Sequence, residues 1–255
     1  MAGINETAIR DRLVERGEAL LRAQGQKLIQ FANVEAADIL LNDLTASPHA
    51  FVLACIMHRM ITAKRAWLIP HQISERLGGF SMEKLVRLSQ KEVKDLMSRP
   101  KPLHRFVDKM SNSFHAGVQR IATRYAGDAA RIWTGKPPSA EVVYRFLEFD
   151  GVGQKIANMS TNILVRHFKI PFADYFSIDI SADRQVRRVF GRLGLCAPGA
   201  TVEEIIYKAR ALHPAFPGIM DSPTWRIGRD WCGVNRLDCD ACYMKDLCPT
   251  ASKSR

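Results

Sequence analysis

The sequence predicts an all-α fold, and three observations carry that prediction. Apolar residues recur at helical spacing along almost the whole chain. No alternating apolar run is long enough to require a strand. Helix-start signals recur between short glycine and proline breaks. Taken in order, Ile9, Leu13, Gly17, Leu20 and Leu21 share one helical face, and Leu28, Phe31, Ala32, Ile39 and Leu40 form a second. Phe51 to Leu68 reads as one apolar helix with a basic end at Lys64 and Arg65. Ser89 with Glu92, and Thr201 with Glu204, have the capping-box pattern, a hydroxyl followed three residues later by glutamate. A helix from about Ser139 runs into Gly151-Val152-Gly153, and another follows at once with Ile156, Met159, Ile163 and Leu164 facing inward. Asp183 is placed to cap a helix whose core face is Val186, Val189, Phe190 and Leu193. Ser222-Pro223 supplies an N-cap and a proline at the first helical position. The breaks at Gly78-Gly79, Pro100 to Pro102, Pro137-Pro138 and Pro198-Gly199 are short loops between helices, and no internal repeat is visible.

The 255 residues leave room for one large domain or two small ones. Lys and Arg outnumber Asp and Glu by 37 to 26, a net charge of +11. That excess attracts a polyanion, most often nucleic acid, although ribosomal and membrane-surface proteins share it. No apolar run reaches the roughly 18 residues of a membrane span, so no membrane partner is expected. Met1 to Arg10 carries Glu6 and has neither an apolar core nor a dense Arg/Ser pattern, so it is not read as a targeting peptide. The expected setting is the cytosol, at the nucleoid.

Four cysteines close the chain: Cys232, Cys239, Cys242 and Cys248, with gaps of six, two and five residues. Thiolates this close in sequence converge on one inorganic centre without closing a long loop. Paired disulfides fit poorly with a reducing compartment. Structural zinc sites usually show two short Cys-x-x-Cys knuckles, and here Cys239 and Cys242 form the single one. A four-iron four-sulfur cluster fits four thiolates with one tight pair, and on spacing alone zinc stays open. Cys55 and Cys196 read as ordinary buried cysteines.

Two further segments carry chemistry. The two glycines of Gly151-Val152-Gly153 let backbone amides approach an anion at the amino end of the next helix, whose dipole favours negative charge. Such a hairpin grips a phosphate without reading sequence, and a plain tight turn is its bland alternative. Lys155 lies in the first turn of that helix, where the dipole disfavours an ammonium ion. A lysine that is partly neutral is a nucleophile, whereas most lysines beside such a turn only touch phosphate. Further on, Arg184, Arg188 and Arg192 form a stripe at helical spacing behind Asp183. A stripe of this kind is either a solvated face, a phosphate contact or a salt bridge to a neighbouring lobe.

Gly151-Val-Gly-Gln-Lys-Ile-Ala157 resembles the Gly-Val-Gly-x-Lys-Thr-Ala hairpin of the helix-hairpin-helix DNA glycosylases of the endonuclease III type. Asp183-Arg-Gln-Val-Arg-Arg-Val189, with Arg192-Leu-Gly-Leu195, is similar to their Asp-Thr-His-Val-x-Arg-Val element and the Arg-Leu-Gly-Leu after it. The cysteine row has the spacing of their iron–sulfur loop. The resemblance is strong from about Phe149 to Cys248, weaker from Pro48 to Tyr144, and residues 1–45 are outside it.

The resemblance implies a two-lobed fold: a six-helix barrel domain over 48–176, and a discontinuous domain of 1–47 and 177–255 holding a [4Fe-4S] cluster on the four cysteines. It implies that a monomer excises a damaged or modified base from double-stranded DNA and then cuts the strand. Lys155 falls on the nucleophile position. Asp183 falls on the essential aspartate, with Asp179 as second choice four residues earlier. Gly151, Val152, Gly153 and Gln154 would hold the backbone, together with Arg184 and Arg188. Arg59 or Met60 would fill the hole left by the extruded base. Phe149-Asp150 stands where the family usually has Leu-Pro, and Arg184-Gln185 replaces its Thr-His. The different pocket and wedge residues imply a substrate other than the usual oxidised pyrimidines. A glycosylase that uses water as nucleophile, and a DNA-binding module without catalysis, are the rival classes.

Overall fold

The computed structural model describes residues 5–23 and 28–253. The reading of Met1 to Arg10 rests in part on residues 1–4, outside the described residues. Among the described residues there is no strand; one isolated antiparallel bridge joins Cys232 and Leu237. The helices in chain order are α1 (Glu6–Arg22), α2 (Glu35–Asn42), α3 (Pro48–Ile56), α4 (Ala63–Leu77), α5 (Met82–Val86), α6 (Gln90–Ser98), α7 (Val107–Arg124), α8 (Ser139–Leu147), α9 (Gln154–Arg166), α10 (Arg184–Arg192), α11 (Val202–Leu212), α12 (Asp221–Asp230) and α13 (Pro249–Lys253). Short 3₁₀ turns cover Ala129–Ile132 and Pro217–Met220. None of these helices is long and apolar enough to cross a membrane.

The chain divides into two compact units. A terminal unit takes Met1–Gln24, Pro138–Val143 and Thr161–Arg255, and a central unit takes Gly25–Pro137 and Tyr144–Ser160. The division falls inside α8 and α9.

In the central unit every residue of α3 is buried, from Pro48 to Ile56. It is packed by α2, α4, α7 and the 3₁₀ turn Ala129–Ile132. Phe51 stacks on Trp67 at 5.9 Å between ring centroids and meets Trp133 edge-on at 6.2 Å. In the terminal unit α10 packs on α12 and α11, and α1 packs on α12 and the 3₁₀ turn Pro217–Met220. Gly17 makes the last contact possible, since a Cβ there would lie 2.1 Å from the Ile219 carbonyl oxygen. Both capping boxes form: the side chains of Ser89 and Thr201 each accept the backbone N–H of the glutamate three residues on, and that glutamate accepts the cap's own N–H.

Three expectations are corrected. Phe51 to Leu68 is two helices, because the chain leaves α3 at Met57 and re-enters helix at Ala63. The break turns His58 inward against Trp67, ring centroids 4.2 Å apart, and holds Met60 at φ 57°. On α2 the inward face is Ala37, Asp38 and Leu41, while Ile39 is 54% exposed. Asp38 draws that face inward because its Oδ1 accepts the Ala32 N–H at 2.7 Å. Finally, α12 continues straight from the preceding 3₁₀ turn and starts at Asp221, so Ser222 is not its N-cap and Pro223 sits within the first turn.

Candidate active site and cysteine pocket

In the central unit, α8 ends at Leu147 and Gly151 turns the chain at φ 86°. That conformation favours glycine, and a Cβ there would also stand 3.1 Å from the Ser113 hydroxyl. Val152 is buried and its N–H donates to the Phe149 carbonyl at 3.0 Å, which locks the turn. The Gly153 carbonyl accepts from Ile156 and Ala157, so α9 starts at once. The first N–H groups of a helix have no intrahelical acceptor and point out of its end. Gly153, Gln154 and Lys155 are exposed there, with open space around the Gly153 Cα. The hairpin and Lys155 thus form one exposed, donor-rich corner. Beyond it, Asp150 lines an open groove with Gln119, Arg120, Thr123 and Arg124 of α7.

The α3–α4 break belongs to the same unit. Met60 is 60% exposed, Arg59 is half-buried, and the Arg59 N–H donates to the Met57 carbonyl at 2.8 Å. His58 between them is buried, and its Nε2 has no hydrogen-bond partner. Burial pushes its pKa down to about 3, and the positive charge of Lys155 lowers it further in the same direction. His58 is therefore a neutral imidazole. No local pattern marks it, since a lone histidine in an apolar stretch is more often a core residue.

In the terminal unit Asp183 caps α10 as expected. Its Oδ1 accepts the N–H groups of Gln185 at 2.8 Å and Val186 at 3.0 Å, and the residue is half-buried. Asp179 is placed differently. Its side chain is 4% exposed, and both its oxygens accept from Arg210, at 2.7 and 2.8 Å. Arg184 is exposed. Arg188 and Arg192 point along α10 at the cysteine loop. Arg188 donates to the carbonyls of Cys232 at 2.7 Å and Gly228 at 2.8 Å, and to Gln185 Oε1. Arg192 donates to the Gly233 carbonyl at 2.6 Å and reaches Cys232 Sγ at 3.2 Å. Two of the three stripe arginines thus serve as ties to the neighbouring loop, a use that spacing alone does not distinguish from phosphate contact.

Cys232, Cys239, Cys242 and Cys248 are all half-buried and line one pocket with Leu193, Ile227, Trp231 and Met244. Burial raises the thiol pKa of Cys242 and of Cys239, and the neighbouring cysteines raise both further, as expected where several thiolate charges would share one space. Among the described residues no three His, Cys, Asp or Glu side chains converge closely enough to hold a single ion as placed. The four sulfurs share this pocket with Asp238, Arg192, Lys245 and Thr250 as well as with its apolar residues.

No protein-family model matches the chain, and a search of curated proteins by sequence found no match. Solved structures do match it. A trapped endonuclease III–DNA covalent intermediate aligns over 99% of this chain and 99% of its own, at 18% identity and a TM-score of 0.63. A thermostable thymine-DNA glycosylase aligns over 96% and 99%, at 14% identity and a TM-score of 0.62. The fold is that of the helix-hairpin-helix DNA glycosylases. An 8-oxoguanine glycosylase/lyase from Clostridium acetobutylicum, bound to double-stranded DNA, also shares the glycosylase fold, over 79% of this chain and 69% of that one, at 16% identity and a TM-score of 0.54. Within this chain the glycosylase-fold hairpin, Lys155, His58, Arg59 and Met60 lie in the central unit. Asp179, Asp183, Arg184, Arg188 and the four cysteines lie in the terminal unit.

Proposed function

We propose that the chain is a base-excision DNA glycosylase with an associated strand-cutting lyase activity, acting as a monomer on duplex DNA that carries a damaged or modified base. The observation that carries this reading is Lys155, exposed in the first turn of α9 directly behind a glycine hairpin, in a fold shared with a trapped endonuclease III–DNA covalent intermediate. The hairpin amides would hold a backbone phosphate, with the net charge of +11 supplying the sequence-independent attraction. A base inside the stack is out of reach, so the target nucleotide must be extruded at a cost of a few kcal/mol. Arg59 or the exposed Met60 would occupy the gap it leaves. The Lys155 amine, once it has given up its ammonium proton, bonds to C1′ as the C1′–N bond to the base breaks. The Asp183 carboxylate stabilises the positive charge that develops on the sugar. Ring opening leaves an imine between Lys155 and C1′, which makes the C2′ proton acidic. Loss of that proton breaks the C3′–O bond and cuts the strand 3′ to the lesion. Water then releases the lysine from the imine.

Asp183 is favoured over Asp179 because both Asp179 oxygens already accept from Arg210, whereas the two capping bonds to Asp183 use Oδ1 alone. For the cysteine pocket the reading is a [4Fe-4S] cluster held by Cys232, Cys239, Cys242 and Cys248. The four cysteine sulfurs lining one pocket support it. When bound, such a cluster ties the loop between α12 and α13 together. Arg188 and Arg192 hold the same loop from α10.

Borohydride reduces an imine to a stable amine, so it traps the protein on an abasic-site duplex if Lys155 reacts as described. The expected result is a covalent adduct with the parent chain and none with Lys155→Ala. An adduct that survives Lys155→Ala discards the lysine mechanism, and base release without any adduct supports the water-dependent glycosylase instead.

A further inference from the structure

In the terminal unit the approach to α10 is a stretch of backbone without regular structure. Ile178 to Ala182 are all buried, yet they belong to neither helix nor strand. Buried amides in such a stretch need acceptors from elsewhere in the fold. One acceptor comes from the first residue of α12. Asp221, itself 8% exposed, accepts the Ser181 N–H through Oδ1 at 2.7 Å. The Ser181 carbonyl in turn accepts the Asp183 N–H at 2.5 Å, so Ser181 links the two acidic residues directly. Three residues earlier, the Ile178 carbonyl accepts the Gly218 N–H at 2.7 Å, and Asn162 Nδ2 donates to the Gly218 carbonyl at 2.7 Å. Only glycine fits at 218, because a Cβ there would stand 2.8 Å from both partners. The stretch is thus held twice, by the turn that leads into α12 and by the residue that opens it. The other buried carboxylates are committed elsewhere. Asp179 is gripped by Arg210, and Asp38 of the central unit accepts the Ala32 N–H at 2.7 Å.

We infer that Asp221 is a positioning residue for Asp183: by holding the Ser181 amide it sets where the Asp183 carboxylate emerges from the buried chain at the start of α10. The inference rests on the role proposed above for Asp183 and adds to it the group that holds that carboxylate in place. The bonds from Gln185 and Val186 to Asp183 Oδ1 fix the carboxylate relative to α10 alone. The bond from Ser181 to Asp221 supplies the reference to α12. Without an acceptor at 221 the buried Ser181 N–H is left unpaired, and the stretch must shift to satisfy it. A displacement of about 1 Å at a reacting group costs about 10² in rate, even when its cause lies away from the chemistry. Burial pushes the Asp221 carboxyl up to about 6, so its place in the fold also suits the neutral acid, whose shape an amide shares.

A double-variant cycle tests it. On an abasic-site duplex the Lys155 amine displaces the C1′ hydroxyl, which leaves as water, and positive charge develops on the sugar as it does when a base departs. Single-turnover borohydride trapping therefore reads the contribution of Asp183. Asp221→Ala is expected to trap about ten-fold or more slowly than the parent, at a temperature where both are folded and with unchanged affinity for the duplex. Asp221→Asn keeps the oxygen that accepts the Ser181 N–H and should recover most of the rate. If Asp221→Ala melts below the assay temperature, Asp221→Ser takes its place, since its hydroxyl stops one bond short of Oδ1. Because Asp221 acts through Asp183, adding Asp221→Ala to Asp183→Asn should slow trapping no further than Asp183→Asn alone. Asp38→Ala removes a bond of the same kind and length from the central unit, and should trap at the parental rate. A parental rate in Asp221→Ala, equal losses in Asp221→Asn and Asp221→Ala, or losses that multiply in the double variant would each overturn the inference. A second measurement needs no DNA. Amide hydrogen exchange of the free chain, read on peptides covering residues 176–187, should speed up about ten-fold in Asp221→Ala and return toward the parent in Asp221→Asn. If the parent traps DNA but neither readout responds to Asp221, this inference fails and the lyase reading stands. If exchange responds while the parent traps no abasic DNA, the lyase reading fails and the hold of Asp221 on the Asp183 segment stands.

Discussion

Asp183 and Asp179 show how one residue type divides into two uses four positions apart. Asp179 is buried and gripped at both oxygens by Arg210, a paired ion that fixes the segment entering α10. Asp183 is half-buried and caps α10 through Oδ1. Asparagine caps a helix nearly as well as aspartate, so Asp183→Asn should change stability by less than about 1 kcal/mol. In the mechanism proposed above the same change removes the charge that stabilises the developing cation, so base excision should fall by a factor of about 10² or more. Asp179→Asn should behave in reverse. It loses a charge-assisted pair worth about 1–2 kcal/mol, discounted for the exposure of Arg210, and retains most of its excision rate at temperatures where it is folded. Excision assays paired with thermal melts decide between them, and a larger rate loss at Asp179 would exchange the two roles. In the sequence, the cap at Asp183 was legible because it depends on neighbours within three residues. The ion pair of Asp179 was not, because Arg210 is 31 residues away.

At the scale of the element, the cysteine loop and α10 form one assembly. Arg188 and Arg192 donate to the carbonyls of Cys232 and Gly233, and Arg192 reaches the Cys232 sulfur. If a [4Fe-4S] cluster binds, the protein should absorb near about 400 nm and carry iron and inorganic sulfide. Groups that orient metal ligands typically matter by about 10–100-fold, so Arg192→Ala should lose that absorbance to a chelator about ten-fold faster than the parent. A colourless protein containing zinc would contradict the cluster. The cysteine row, both capping boxes and the hairpin were readable because each is a local pattern. The break between α3 and α4 was hidden, since residues 57–62 contain no glycine or proline and are turned by the packing of His58 on Trp67. The inward face of α2 was hidden for the same reason: Asp38 is drawn in by the Ala32 amide, and hydrophobic spacing gives no weight to a buried carboxylate.

Over the whole molecule, the buried titratable groups set how stability follows pH. Burial lowers the pKa of His49 and His104, and burial with the Lys155 charge holds His58 at about 3. An unfolded histidine takes up its proton near pH 6.5, so below that pH the unfolded chain binds protons that the native chain refuses. Stability is therefore lost as pH falls from about 6.5, with His58 alone contributing on the order of 2–3 kcal/mol by about pH 4.5. Asp221 acts in the opposite sense. Burial raises its pKa to about 6, against the pull of the Arg166 charge. The native chain thus holds a proton there that the unfolded chain has released, a stabilisation present at low pH and lost as pH rises through about 6. Thermal melts between about pH 4.5 and 7.5 should show a shallower acid loss in His58→Phe and a steeper one in Asp221→Asn. Identical pH profiles in the parent and both variants would contradict this assignment of buried charge. All-helical architecture was legible from periodicity across the chain, whereas these buried titrating groups are products of tertiary packing that composition does not carry.

The central claim is that Lys155 bonds to the sugar of an extruded nucleotide. Reduction of the parent chain with borohydride on an abasic-site duplex, followed by proteolysis and mass spectrometry, tests it directly. The account predicts a nucleotide remnant on the peptide spanning the hairpin, attached at Lys155. A remnant on another residue, or no adduct while the base is released, would contradict it.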